Sequence, residues 1–319
     1  MMIFHKLEDM PAGFGPSVAS VGNFDGVHRA HLRVLHEIVT RARSTGTKSV
    51  AVSFEPHPMR ILRPDKAPKL LTPTQEKVRL LEQTGIDALL LLPFSRDLSL
   101  MSPREFVARV LCEALQASEV HEGYNFHFGH KAAGDVNLLH ELGREQRFEV
   151  MVYPEMCLRG QSVSSTCIRQ LIQQGRVERG RTLLGRSFSI MSTPGRGRGY
   201  GAKYTVPTIN LSRYEELVPA DGVYITQTRV GAECFDSVTN IGNRPTFGED
   251  SFAIESHLLD FHPLEILPET RIEVTFLRRL RAEIKFPSVE ALREQISRDV
   301  QKARRYFGLM QRKIAIAKL

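Results

Sequence analysis

The chain has 319 residues, room for two domains of ordinary size. Its 42% hydrophobic and 25% charged residues are the balance of a folded globular protein and exclude a disordered or membrane-embedded class. A formal charge of +7 favours anionic partners, polyphosphates as well as nucleic acid, while the lack of tryptophan gives no support to a stacking platform for single strands.

Met1–Lys6 does not read as a basic-then-apolar leader, so a cytoplasmic location is expected. Residues 17–22 and 49–54 are short β-branched runs flanking a helical pattern with Leu32, Leu35, Ile38 and Val39 on one stripe, ended near Gly46. That is a βαβ unit. Between its first strand and its helix lies Ser20-Val21-Gly22-Asn23-Phe24-Asp25-Gly26-Val27-His28-Arg29-Ala30-His31, a glycine-punctuated turn whose backbone N–H groups and helix dipole suit a phosphate. His28 and His31 are three apart and would share a helix face aimed at that anion. Taken alone the pair also fits two surface histidines; zinc is disfavoured, since there is no His-Glu-x-x-His and no Cys-x-x-Cys spacing among Cys112, Cys157, Cys167 and Cys234.

Phe54-Glu55-Pro56-His57-Pro58 follows the second strand as a rigid turn. A helix over Glu76–Gln83, stopped by Gly85, leads to a buried strand from Ile86 to Leu92; the apolar stretch Ala88–Phe94 is far short of a bilayer span. Ser102-Pro103-Arg104-Glu105 opens the next helix with a capping box. In Gly123–Asp135 aromatics alternate with polar residues as on a half-exposed strand before a glycine-lined loop. Ser164-Ser165-Thr166-Cys167-Ile168-Arg169 begins a helix ended by Gly175; its hydroxyls read as caps, but Arg169 sits at the wrong end for the helix dipole and hints at a bound anion. The repeated β-then-α order predicts a parallel sheet with its ligand site at the strand C-terminal ends.

Four of these segments together resemble the adenylyltransferase module of the bacterial bifunctional riboflavin kinase/FAD synthetase family: Gly22–His31, Phe54–Pro58, the Gly-x-Asn-Phe-x-Phe-Gly loop and Ser164–Arg169. Ala30 stands where the family's His-x-Gly-His has glycine. The resemblance implies a Rossmann-like nucleotidyltransferase domain over residues 1–185. It gives Gly22, Asn23, Phe24, Asp25, Ser164 and Thr166 to the nucleotide, makes His28, His31 and Arg169 stabilisers of charge on the triphosphate, and has Asn125 with Phe54, Pro56, His57 and Pro58 position the flavin.

Past Gly185-Arg186 the pattern changes to closely spaced strand-like runs over Gly222–Thr226, Asp236–Ile241, Ser251–Asp260 and Arg271–Phe276, which predict a small antiparallel β-barrel over 186–319. A final helix from about Ser288 would pack on it through Val289, Leu292, Ile296 and Val300. Before the strands, Gly195–Tyr204 alternates glycine with arginine, which fits an RNA contact or a flap over phosphates closed by Pro207-Thr208-Ile209-Asn210. The resemblance resumes here, to the riboflavin kinase module, through Pro207–Asn210, Asn240–Phe247 and Glu255–Asp260, with Ile209 in place of the family's alanine and Ser192–Gly195 in place of a Gly-x-Val start. It implies that Gly197, Arg198, Gly199, Gly201 and Lys203 hold ATP, that Thr208 and Asn210 meet Mg²⁺, and that Glu255 is the base.

The expected activity is therefore phosphorylation of riboflavin to FMN by ATP, then adenylylation of FMN to FAD. Small-molecule substrates are expected, with no nucleic acid or membrane partner. The competing readings are an enzyme with the transferase alone and a flavin- or RNA-binding regulator on the same scaffold.

Overall fold

The structure is a computed structural model that describes residues 1–195, 208–243, 252–264 and 266–316. It forms two compact units, Met1–Cys167 and Ile168–Leu319.

In the first unit, β1 (Met2–Phe4), β2 (Ser17–Val21), β3 (Lys48–Glu55), β4 (Ala88–Pro93), β5 (Ala117–Gly123) and β6 (Glu149–Tyr153) form a parallel sheet in the order β1-β4-β3-β2-β5-β6. All of β2 and all but the last residue of β4 are buried, as strands covered on both faces must be. One face carries α1 (Arg29–Thr45) and α3 (Thr74–Glu82); α2 (Pro58–Leu62) is a short turn between them in sequence. Leu35, Ile38, Val39 and Ala42 of α1 join Leu80 and Leu81 of α3 in that core, whereas Leu32, expected on the stripe, is left at 37% exposure. Gly46, at φ 68°, ends α1.

The other face carries α5 (Pro103–Phe106), continued by π-type turns to Ala114, and α6 (Val136–Gln146); α4 (Arg96–Leu100) precedes them. Ser102 starts α5 with both bonds of the predicted capping box: Glu105 N–H to Ser102 Oγ at 3.2 Å and Ser102 N–H to the Glu105 carboxylate at 2.8 Å. The chain runs outward from β2 through β3 to β4, then returns to the far side of β2 with β5. The strand order therefore reverses between β2 and β5, the place where open α/β sheets hold their ligands.

Residues 124–128 are not the expected strand, while Gly129–Asp135 is the loop expected after it. β5 ends at Gly123 and a turn follows, with a single bridge between Phe128 and Gly134. Phe126 and Phe128 lie on the same core because they stack on each other, 5.3 Å apart and 13° from parallel, and not through strand alternation. After β6 come the hairpin β7 (Cys157–Leu158) and β8 (Gln161–Ser162), then α7 (Ser165–Gln173), within which the division between the units falls, and α8 (Val177–Leu184).

In the second unit, β9 (Phe188–Ser192), β10 (Thr208–Asn210), β11 (Gly222–Val230), β12 (Glu233–Asn243), β13 (Phe252–Leu258) and β14 (Ile272–Arg281) form an antiparallel sheet in the order β10-β13-β12-β11-β14-β9. The ends meet just beyond the strands. Pro194 bridges Leu211, Gly195 N–H bonds Asn210 C=O at 2.8 Å, and Ser212 N–H bonds Thr193 C=O at 2.9 Å, closing the sheet as a small barrel.

Inside the barrel, Thr226, Thr228, Ser237, Thr239 and Ser256 have no solvent exposure, and their hydroxyls form a closed ring. Thr239 donates to Ser256 at 3.0 Å, and the contacts Ser256–Thr228, Thr228–Ser237, Ser237–Thr226 and Thr226–Thr239 are 2.7, 2.8, 2.7 and 2.7 Å. Each hydroxyl thus has one donor and one acceptor role filled. Outside the barrel, α9 (Val289–Ile316) covers Val223, Ile225, Val238 and Leu277 with Ala303 and Phe307. Val289 and Leu292, expected on this stripe, are 54% and 38% exposed. The contact begins later, where buried Asp299 pairs with Arg281 at 2.9 Å.

Candidate active sites

At the C-terminal ends of β2 to β6 the first unit holds a cavity of about 1040 Å³. Gly22, Asn23, Phe24, Asp25, His28 and His31 line it from the β2 side, Phe54 and Pro58 from the β3 side, Asn125 from the loop after β5, and Ser164 and Thr166 from the start of α7. Four segments spread over some 140 residues of sequence thus share one wall, as a parallel sheet dictates.

His28 is not in the helix as the three-residue spacing suggested. It is the N-cap of α1, its Nδ1 accepting the His31 N–H at 3.4 Å, and the two rings stack 3.6 Å apart at 15°. Phe24 meets His31 edge-on at 5.3 Å and fixes the pair from below. The turn reaches α1 through Phe24, Gly26 and Val27 at φ 47°, 85° and 38°. Asp25 secures it: its buried carboxylate accepts the N–H groups of Leu71 (2.9 Å) and Thr72 (3.1 Å), while the Thr72 hydroxyl accepts the Gly26 N–H at 3.0 Å. Ala30, in the first turn of α1, also lines the cavity.

Ser164 Oγ accepts the Cys167 N–H at 3.3 Å, the ordinary cap, and Ser165 donates to Asp25 C=O at 2.9 Å, tying α7 to the turn. Pro56 and His57 lie outside the cavity wall; His57 caps α2 by accepting the Met59 N–H at 3.2 Å. Arg169, one turn into α7, is likewise not among the lining residues.

Several residues here carry no local signal in the sequence. Lys77 of α3 is buried beneath the strand ends, its ammonium donating to Ser53 Oγ at 3.0 Å and to the carbonyls of Asn23 and Phe54 at 3.3 Å. Burial lowers its pKa, against the pull of Glu55 and Asp25. Glu122 of β5 lines the cavity at 3% exposure, and burial pushes its carboxyl well above the usual range despite a bond from Val21 N–H at 2.6 Å. Tyr153 lines the cavity from the end of β6 with Arg33 above its ring at 5.4 Å, and its hydroxyl meets His121 Nδ1 at 2.8 Å. Burial raises the Tyr153 pKa and lowers that of His121, the latter opposed by Glu119.

In the second unit, Glu255 of β13 is the direct cross-strand partner of Asn210 on one side and Asn240 on the other. The three side chains therefore share one face on adjacent strands, and Thr208, two residues along and opposite His257, shares it too. Sequence reasoning missed Glu283. It hydrogen-bonds Asn240 and lies against Gly242, where a Cβ would sit 2.5 Å from its carboxyl carbon. Burial raises its pKa, with Glu255 adding to the shift. Gly197, Arg198, Gly199, Gly201 and Lys203, and the motif residues Arg244–Phe247, lie outside the described residues.

Residues 12–167 match the family model described as FAD synthetase, and residues 184–307 match that described as riboflavin kinase. A bifunctional riboflavin kinase/FMN adenylyltransferase of Pseudomonas fluorescens is 36% identical over 95% of this chain and 97% of its own length. One of the same description from Escherichia coli K12 is 33% identical over 92% and 93%. The crystal structure described as a macrolide-efflux protein from Streptococcus pneumoniae superposes with a TM-score of 0.85 at 26% identity, covering 95% of this chain and 98% of that one. Among the described residues no helix is long and apolar enough to cross a membrane. With both family models in order along the chain and relatives matched nearly end to end, the chain belongs to the bifunctional riboflavin kinase/FMN adenylyltransferase family.

Proposed function

We infer that this chain makes FMN from riboflavin and ATP, and FAD from FMN and a second ATP with release of pyrophosphate. The observation that supports this is the coincidence of motif and fold: residues from all four motifs of the first unit line one cavity at the strand ends of the parallel sheet, and Thr208, Asn210, Asn240 and Glu255 share one face of the barrel. We assign adenylyl transfer to residues 1–185 and phosphorylation to 186–319. Residues 168–183 fall outside both family models. Both reactions are placed in the cytoplasm.

For phosphorylation, Glu255 accepts the proton of the ribityl hydroxyl as it attacks the γ-phosphorus of ATP, and ADP leaves. The Thr208 hydroxyl and the Asn210 amide oxygen are hard donors of the kind that suit Mg²⁺, which keeps most of its water and takes one or two protein ligands beside the phosphates. When bound it would neutralise charge between the β- and γ-phosphates. Asn210 shares a face with Glu255, so base and metal ligand would meet the same substrate end. We give the triphosphate also to the Gly/Arg segment through Lys203, on the resemblance alone.

For adenylyl transfer, the FMN phosphate is already a nucleophile. The protein needs to align it with the α-phosphorus of ATP and spread the charge of the leaving pyrophosphate. His28 and His31 stand in the cavity wall at the α1 N-terminus for the second task, aided by Ser164 and Thr166. Asn125, Phe54 and Pro58 also line the cavity, and we give them to the flavin. The test is product analysis of the purified chain with riboflavin, ATP and Mg²⁺. FMN followed by FAD is expected; FAD from supplied FMN but never from riboflavin would reduce the chain to a transferase, and neither product would make it a binder.

A further inference from the structure

We propose that Glu122 acts in adenylyl transfer as an uncharged hydrogen-bond donor, its carboxylic O–H reaching a phosphate oxygen of a substrate held in the cavity. This rests on the assignment of that cavity to FMN adenylyl transfer.

Glu122 stands where the strand order reverses, on β5 beside the end of β2, and lines the cavity although only 3% exposed. Its Oε1 is occupied by the Val21 N–H at 2.6 Å. That bond fixes the side chain and leaves Oε2 for a group held in the cavity that Glu122 lines. Among the described residues no ion pair is made to it, and burial favours its protonated form. An ionised carboxylate here would repel both phosphate-bearing substrates, whereas a neutral one offers them a donor in a water-poor wall. Anion binding in turn favours protonation, so substrate affinity and the proton on Glu122 support each other.

Other ionisable groups share the wall: His28, His31 and Arg33 from α1 and its cap, and His127, His130 and Lys131 from the loop after β5. Arg63, Asp25, Tyr124, Tyr153 and Glu155 complete the set. All of them persist in a Glu122 variant, so the difference between two pH profiles isolates Glu122.

The experiment follows FAD formation from FMN and ATP by the full chain between about pH 6.5 and 9.5, with KM for each substrate determined separately. In the wild type the KM of one substrate should rise about tenfold or more toward the alkaline end, and which KM moves tells whether ATP or FMN carries the accepting oxygen. Glu122→Gln, which keeps a neutral donor, should stay within about threefold of wild type at neutral pH and lose most of that rise. Glu122→Met, of similar size without a donor, should raise the same KM about tenfold at every pH. Matching profiles for wild type and Glu122→Gln would overturn the proposal, as would a tenfold loss in Glu122→Gln at neutral pH, which would mean that the charge is needed. Should the variants not fold, infrared spectra of the wild type at neutral pH decide: the band of a protonated carboxyl should shift when substrate is added, and no such shift overturns the proposal. A wild type that makes FMN but no FAD at any pH rejects the assignment of the cavity instead.

Discussion

His28 uses both of its surfaces. The ring edge caps α1 and the ring face lies on His31, so the group we propose for the triphosphate is a stacked pair held in place by the helix it starts. Asp25 beside it works inward, and its role is separable: Asp25→Ala should cost about 2–4 kcal/mol of stability, since the Leu71 and Thr72 N–H groups lose their acceptor, with Asp25→Asn costing less in thermal unfolding. Glu122 has the opposite thermodynamic sign. Its unfolded carboxyl titrates near the ordinary value of 4.5 and its folded one higher, so the folded state keeps a proton that the unfolded chain releases. Stability therefore falls as pH rises from that value through the raised one. Glu122→Gln should melt above the wild type at about pH 8, with the gap closing toward pH 5; a constant gap would mean that packing, and not charge, separates the two. Neither Glu122 nor Lys77 was legible in the sequence. Each sits in an ordinary polar position of its strand or helix pattern and becomes special only when distant residues bury it, whereas Gly22–His31 carries its chemistry in adjacent letters.

Elements were readable in the sequence to the extent that their determinants are local. The helix opening at Ser102 was legible because cap, proline and glutamate lie within four residues, and Ser102→Ala should lower stability by about 1 kcal/mol, read as a lower melting temperature with adenylyl transfer unchanged. The Gly123–Asp135 segment shows the limit. Its alternation has the period of a strand, but Gly129 at φ 73° has the Pro103 ring 2.7 Å from where a Cβ would be, and the backbone turns away from the sheet there. For α9 the apolar period was right and its last predicted contact, Val300, packs on the barrel, whereas Val289 and Leu292 at its start stay exposed; the packed turns begin where Asp299 pairs with Arg281, 18 residues away.

For the whole molecule, the change of pattern from alternating strands and helices to strands alone corresponds to a parallel sheet followed by an antiparallel one, while the compact units divide between Cys167 and Ile168. The two proposed reactions share one compound, FMN, which makes their independence measurable. His28→Ala should slow FAD formation from FMN by about 100-fold or more while leaving FMN formation intact, and Glu255→Ala should do the reverse. Mixed together, the two variants should convert riboflavin to FAD although neither does so alone; a mixture that stops at FMN would mean that the product of one active site must be consumed within the same chain.

The ring of five hydroxyls inside the barrel has a bearing on how the barrel finds its strand pairing. Its members come from β11, β12 and β13, and a slip of one residue along any of them would turn hydroxyls out and aliphatic groups in. Correct pairing satisfies all five at once; an offset pairing strands several of them away from water. The ring therefore acts as a check on register, penalising wrong alignments more than it rewards the right one. Thr239→Val, nearly the same shape, should cost about 2 kcal/mol because Thr226 and Ser256 each lose a partner where no solvent can replace it. Its clearer mark should be slower refolding of the riboflavin kinase unit, as strands sample offsets that the wild type rejects.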